Sequence, residues 1–275
     1  MTKDGQRGIE MEFSTKLAAA CALVFSLAAP AAATAQDSAN FFKVGTASVT
    51  YGPYVRFGLG VANTRPSDEH WLPPGYPKDP RIDFNLSNDT SGFGEIAFGY
   101  DWMNGFRGDV SVLTTGSATT TGPHTTSGNH ADITSASVST SAVMGNLYYS
   151  PFEQMGVNSR LHPFVVAGLG YANNKVSDWT RTNTTNPEVS SVDRTFSGDT
   201  HGDFAYSLGI GMAYQLTAPG KHPAILEMSY RYYSFGTAKG GSTPLTSGES
   251  PVAPLTFEND AHVLSISLRI PLQRL

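Results

Sequence analysis

The histidines and serines are the first residues to consider, because a histidine held beside a serine can activate it as a nucleophile. In the segment HVLSISLRI, two residues separate His262 from Ser265, which puts the two side chains on opposite faces of a strand. None of the seven histidines forms a His-x-Ser pair on a strand-like segment. We therefore predict no catalytic site and no enzymatic activity.

Metal and thiol chemistry are the next possibilities. His124 and His130 lie in a Gly/Thr-rich segment with Asp132 as the nearby acid, and we interpret them as solvated residues rather than as metal ligands. Cys21 is the only cysteine and lies within a predicted export signal, which excludes disulfides and thiolate metal sites from the exported chain. The sequence predicts neither a metal site nor a cofactor.

Eight charged residues of both signs form the remaining candidate site. They lie in segments where large apolar residues alternate with small or polar ones, on the same face as the small residues. If that face is an interior, two arrangements are possible: the charges pair in a hydrogen-bonded network that fills it, or they line a polar path for small solutes. The network is favoured, because an isolated buried charge is costly. The set is Arg56, Glu95, Asp101, Arg107, Asp109, Glu227, Arg231 and Arg269.

The elements that must position these charges are β-strands. In FAYSLGIGMAYQL, seven large apolar residues alternate strictly with alanine, serine, glycine and glutamine, and this period of two predicts a strand. Similar segments recur along the chain, at 54–63, 94–102, 106–112, 141–150, 163–173, 204–216, 224–236 and 262–272.

The connections between these segments predict how the strands are arranged. Short links (103–105, 151–161 and 217–222) alternate with long polar ones (64–92, 117–135, 174–202 and 237–260). Four long structureless connections argue against a compact soluble domain, whereas a transmembrane barrel has short turns at one end and long loops at the other. The predicted fold is therefore all-β: an eight-stranded antiparallel up-and-down transmembrane β-barrel with short periplasmic turns and long extracellular loops.

Composition agrees with this fold. Only 15% of residues are charged, against about 25% in soluble domains. The face opposite the large residues also has too few polar side chains to be a solvated surface. We therefore expect the large residues to face lipid and the small ones a crowded lumen. The alternative is a secreted sandwich or lipocalin-like barrel whose large residues point inward. The net charge of -5 argues against a nucleic-acid partner.

The first 35 residues have the features of a secretory signal. Lys16 precedes the uncharged run LAAACALVFSLAAPAAATA, which ends in the small-x-small triplet Ala33-Thr34-Ala35. We expect cleavage after Ala35, with translation starting at Met1 or Met11. The domains are thus a signal peptide over 1–35 and a barrel over 36–275.

The closing strands, FAYSLGIGMAYQL, LEMSYRYYSFG and HVLSISLRI, resemble the small outer-membrane β-barrels of Gram-negative bacteria, the OmpA-transmembrane-domain and opacity-like surface antigens. The resemblance covers residues 40–275 and implies an outer-membrane location, contact with outer-membrane lipids, and the barrel-assembly machinery as a partner during biogenesis. The family often ends in phenylalanine, whereas this chain ends in PLQRL, so its assembly signal departs from the family pattern.

Function would then reside in the long connections, since binding residues concentrate on loops held by a scaffold. Trp71, Tyr76 and Trp179 are the candidates for contact with a host surface or extracellular ligand, unless they pack on the barrel rim. The favoured function is a non-enzymatic surface protein that supports the envelope and presents its loops. The alternative is a narrow porin-like channel for small solutes.

Cell fractionation tests the membrane prediction. We expect the protein in the outer-membrane fraction, and we expect unboiled samples to migrate differently from boiled ones on a denaturing gel, because a closed barrel resists detergent until it is heated. A soluble periplasmic protein with a single mobility would contradict the prediction.

Overall fold

A computed structural model describes residues 52–78, 80–125, 132–157, 159–183, 194–217, 223–246 and 248–272. The predicted signal peptide with Cys21, as well as His130, His222 and the terminal residues 273–275, lie outside the described residues. The described residues form one short helix and twelve strands. The strands are β1 (Pro53–Leu72), β2 (Ile82–Asp83), β3 (Asp89–Asp101), β4 (Phe106–Thr115), β5 (Ala118–Pro123), β6 (Asp132–Tyr149), β7 (Leu161–Val176), β8 (Trp179–Asn183), β9 (Arg194–Phe196), β10 (Asp199–Gln215), β11 (Ile225–Lys239) and β12 (Ala253–Pro271); the helix α1 is Pro151–Gln154.

Eight of the strands form a closed antiparallel ring. Its order is β1, β3, β4, β6, β7, β10, β11 and β12, and β12 pairs with β1 to close it. These are the eight strands that the alternation predicts. Among the described residues, no helix has the length and apolar character needed to cross a membrane.

The two faces of the ring are those that the alternation predicts. On β10, the large residues from Phe204 to Tyr214 are 40–62% exposed on the outside, whereas Ala205, Ser207 and Ala213 are buried inside. On β12, Leu264 and Ile266 point outward in the same way. An outer wall of large apolar side chains is the surface that a hydrocarbon solvent requires.

The prediction of long structureless connections is wrong. All eight ring strands continue past their predicted bounds at the end that carries the long connections, and β2, β5, β8 and β9 lie entirely within those connections. We call this part the lobe: the described residues within 65–89, 116–138, 177–198 and 237–256. Further backbone hydrogen bonds join neighbouring segments of the lobe, such as Ser197 N to Thr243 O (2.9 Å) and Gly240 N to Leu255 O (2.9 Å).

An apolar core explains why the lobe is folded. Trp71 and Trp179 are fully buried in it, with their ring centroids 5.8 Å apart, and Trp179 stacks on Phe196 at 4.3 Å. The Trp179 Nε1 donates to the carbonyl of Gly241 (2.9 Å). Burying aromatic rings is a large source of stability, so the tryptophans hold the connections together.

Replacing Trp179 with alanine should unfold the lobe and leave the ring intact. The substitution removes the packing against Trp71 and Phe196, and truncating a buried tryptophan typically costs about 3–5 kcal/mol. We expect an added protease to cut the lobe of W179A rapidly, while the unboiled variant keeps its barrel mobility on a gel. Tyr76→Ala changes an exposed aromatic of the same lobe and is the control. Equal protease resistance of W179A and the parent would contradict the packing argument.

Candidate functional site

The eight charged residues meet in the lumen of the ring, and every one of them is at most 5% exposed. Arg56 on β1 lies at one focus of the cluster. Its guanidinium donates two hydrogen bonds to Glu95 (2.7 and 2.9 Å) and two to Asp109 (3.1 and 3.2 Å). The planar guanidinium is suited to such forked bonding with carboxylates, so one arginine ties β1 to β3 and β4.

A second focus lies nearer the short-turn end of the barrel. Glu227 on β11 accepts hydrogen bonds from Arg107 (2.5 Å) and from Arg269 Nε (2.9 Å), and Arg269 also donates to Asp101 (2.9 Å). Arg107 and Glu227 are 120 residues apart and lie on strands that do not pair. The Arg107–Glu227 bond therefore crosses the lumen instead of running along one wall.

Arg231 extends the first focus through polar residues that were not singled out from the sequence. It donates to Asn146 (2.6 Å) and Ser207 (2.6 Å) and lies 3.8 Å from Glu95. Asn146 in turn donates to Asp109 (2.7 Å). The alternation along β6 already predicts that the Asn146 side chain points inward. This was the sequence signal that could have added Asn146 to the candidate site.

Charge balance and aromatic contacts make this burial tolerable. The cluster holds Arg56, Arg107, Arg231 and Arg269 against Glu95, Asp101, Asp109 and Glu227, so four formal positive charges meet four negative ones. Arg107 also lies over the rings of Tyr148 (4.3 Å) and Phe164 (4.9 Å). Such cation–π contacts are strongest where water is excluded.

Other layers fill the lumen on both sides of the charges. Tyr148, Phe164 and Ile225 belong to an apolar cluster near the short-turn end, and Phe93 and Tyr233 belong to a second cluster toward the lobe. Beyond the second cluster, Asn259 donates to Thr140 (2.9 Å) and to Asn174 (2.8 Å). An eight-stranded ring leaves room for side chains and little more, and here buried side chains lie at each of these levels.

Glu153 is a buried carboxylate at the short-turn end of the barrel. It lies on α1, is buried, and accepts a hydrogen bond from the backbone of Gly105. Gly105 adopts φ +91° and lies against Gln154, where a Cβ atom would be 3.0 Å from that residue, so glycine is needed for the two turns to pack. Burial, with the nearby Asp101 carboxylate, raises the pKa of Glu153 to about 8, against the lowering effects of Arg269 and Arg107.

The loop candidates are divided between the core and the surface. Trp71 and Trp179 are buried inside the lobe, so they pack within the protein instead of being available to a partner. Of the three candidates, Tyr76 alone is at the surface, where it is 42% exposed. Arg181 lies over the Trp71 ring (4.9 Å) and donates to Asp132 (2.6 Å).

The histidine and serine of HVLSISLRI lie on opposite faces of β12. His262 bonds Tyr230 (2.6 Å) on the outer wall, whereas Ser265 bonds Ser229 (3.0 Å) from the lumen side. Within the described parts of the chain, no three metal-binding side chains come together.

Comparison with known proteins gives one family match and several similar structures. A family model described as "Outer membrane protein beta-barrel domain" matches residues 17–269. Among solved structures, the chain is similar to Neisserial surface protein A (14% identity, 80% of this chain and 97% of that one, TM-score 0.42) and to OprG from Pseudomonas aeruginosa (16%, 80% and 97%, 0.44). It is also similar to Ail of Yersinia pestis (12%, 80% and 100%, 0.35). A search of curated sequences gave no match.

Glu227→Gln should destabilise the barrel strongly. The amide keeps the shape but removes the charge that two buried arginines face, and breaking a buried pair in this way typically costs about 3–5 kcal/mol. Urea unfolding of the detergent-solubilised protein measures the loss. Glu258→Gln, at an exposed glutamate of β12, should change the unfolding free energy by no more than about 0.5 kcal/mol. Equal midpoints for the two variants would show that the network contributes nothing.

Glu153 should make stability fall as the pH rises. Its pKa is raised from 4.5 to about 8, so between these values the folded chain holds a proton that the unfolded chain has released. The contribution of Glu153 is fully present below pH 4.5 and is lost as the pH passes through 8. Glu153→Gln should flatten this part of the pH profile in urea unfolding experiments. An unchanged slope would show that Glu153 ionises normally in the folded protein.

Proposed function

The chain belongs to the outer membrane protein beta-barrel domain family, and we propose that it is a non-conducting, non-enzymatic member that supports the envelope and presents its lobe outside the cell. In this proposal the long connections are extracellular and the short turns periplasmic, as in barrels of this class. The lipids of the outer membrane and, during biogenesis, the barrel-assembly machinery are its partners. The partner of the lobe is a host surface or another extracellular ligand.

The successive layers of buried side chains in the lumen are the observation that carries the non-conducting part of the proposal. A solute crossing the barrel would have to pass the Tyr148–Phe164 layer, the charge network and the Phe93–Tyr233 layer in turn. The guanidinium and carboxylate groups bond one another instead of facing an open path. Moving any of them aside would leave a buried charge unpaired, which is costly.

The folded lobe supports the role in presentation. Its core of tryptophan and phenylalanine fixes the surface above it, and binding residues gain affinity when a rigid scaffold holds them in place. Tyr76, Leu245 and Val252 are large apolar residues that the lobe leaves exposed, by 42%, 53% and 59%. Exposed aromatic and aliphatic side chains of this kind are typical anchors in protein contacts.

Single-channel recording in planar bilayers tests the proposal. The purified, folded protein should give no reproducible unitary current steps, and a conducting porin reconstituted in parallel shows that the bilayers report channels. Reproducible steps from this protein would overturn the closed-lumen function in favour of a narrow channel for small solutes. In that case, Arg231→Ala should change the step size, because Arg231 is a charged member of the network that a solute would have to pass.

A further inference from the structure

The outer wall of the barrel carries a groove of about 580 Å³ on the side of β6, β7, β10 and β11. Ala167 forms its floor, and its walls are Leu147, Val165, Leu208 and Ile210. These four wall residues are 49–62% exposed on the outside of the ring. The groove is therefore a depression in the surface that faces hydrocarbon, and its size lies within the usual range of ligand sites.

The packing of the lumen explains why the wall is depressed here. Directly behind the groove, Gly168 and Gly209 bring the backbone onto the charge network. A Cβ atom on Gly168 would lie 2.5 Å from Asn146 Oδ1, and one on Gly209 would lie 2.5 Å from Arg231 Cγ. The wall thus rests against Arg231 and Asn146 from inside, while outside it carries only the methyl group of Ala167 between larger neighbours.

Three aromatic residues that carry polar atoms stand at one end of the groove. Tyr230, Tyr232 and His262 line it, and the Tyr230 hydroxyl lies 2.6 Å from Nδ1 of His262. The next outward positions along these strands are Ser234 on β11 and Asp260 on β12, so the aromatic residues stand at the border of the apolar belt. Tyrosine at such a border marks the level of the lipid headgroups.

We propose that this groove binds one acyl chain of a lipid from the leaflet on the lobe side of the membrane, with the polar head of that lipid beside Tyr230 and His262. A lipid chain is the occupant that fits, because the lining is apolar, the opening faces the membrane, and tyrosine and histidine side chains stand at headgroup level. This inference goes beyond the function proposed for the lumen and lobe, and it depends only on the barrel lying in a membrane.

Native mass spectrometry of the folded protein in detergent, equilibrated with dimyristoyl phosphatidylglycerol, tests the proposal. We expect one lipid per barrel to survive release of the micelle. Ala167→Leu fills the floor of the groove and should lower lipid retention by about tenfold or more. Gly94→Leu is the matched control, because it adds the side chain on β3, opposite β10 in the ring, where a Cβ atom meets only Thr114 Cγ2 at 4.0 Å.

Two outcomes would overturn the proposal. Equal retention in the Ala167→Leu and Gly94→Leu variants would show that the lipid binds elsewhere. A dimer of the parent protein that is lost in Ala167→Leu would make the groove an interface between copies of the chain. The shift between boiled and unboiled samples establishes that each variant is folded, and Leu147→Trp, which fills the groove from β6, replaces Ala167→Leu if that variant does not fold.

Discussion

Inside a membrane, a backbone N–H group has no water to bond, so every strand must find a partner on both of its edges. The pairing of β12 with β1 meets this requirement by closing the ring, and the number of strands then fixes the width of the lumen. A lumen this narrow must be filled by the residues that alternate with the lipid-facing ones. The glycines, alanines and serines of the inner face, and the few charged residues among them, follow from that constraint.

The charges in turn constrain one another. Removing an arginine or a carboxylate from water is costly, and the loss is recovered only where each ion has partners with good geometry. Here Arg56, Arg269 and Glu227 each bond two partners, so no single pair is independent of the rest. The charged groups of the lumen therefore stabilise one another as a unit. Because Arg231 lies against Gly209, this unit also packs against the backbone of the barrel wall.

Alternation was sufficient to predict the eight ring strands and their faces, because a period of two is a local property of the sequence. It could not predict which charges would bond, since Arg107 meets Glu227 across the lumen from strands that do not pair, and this depends on the tilt and register of the whole ring. The lobe was missed for another reason. Its strands, such as β5 with the sequence ATTTGP, carry little alternation, and β1 continues through Pro66 and Asp68, which the local pattern marks as loop.

The burial of Trp71 and Trp179 changes what the long connections can do. Ordering a flexible loop costs free energy whenever the loop binds, whereas segments fixed to a common core are already ordered in the folded protein. Because β1, β6 and β12 run without interruption from the apolar belt into the lobe, the ring sets the spacing of the surface that the lobe presents. The barrel and the lobe are thus one continuous structure, and exposed residues of the lobe, such as Tyr76 and Val252, lie close in the chain to strands that cross the membrane.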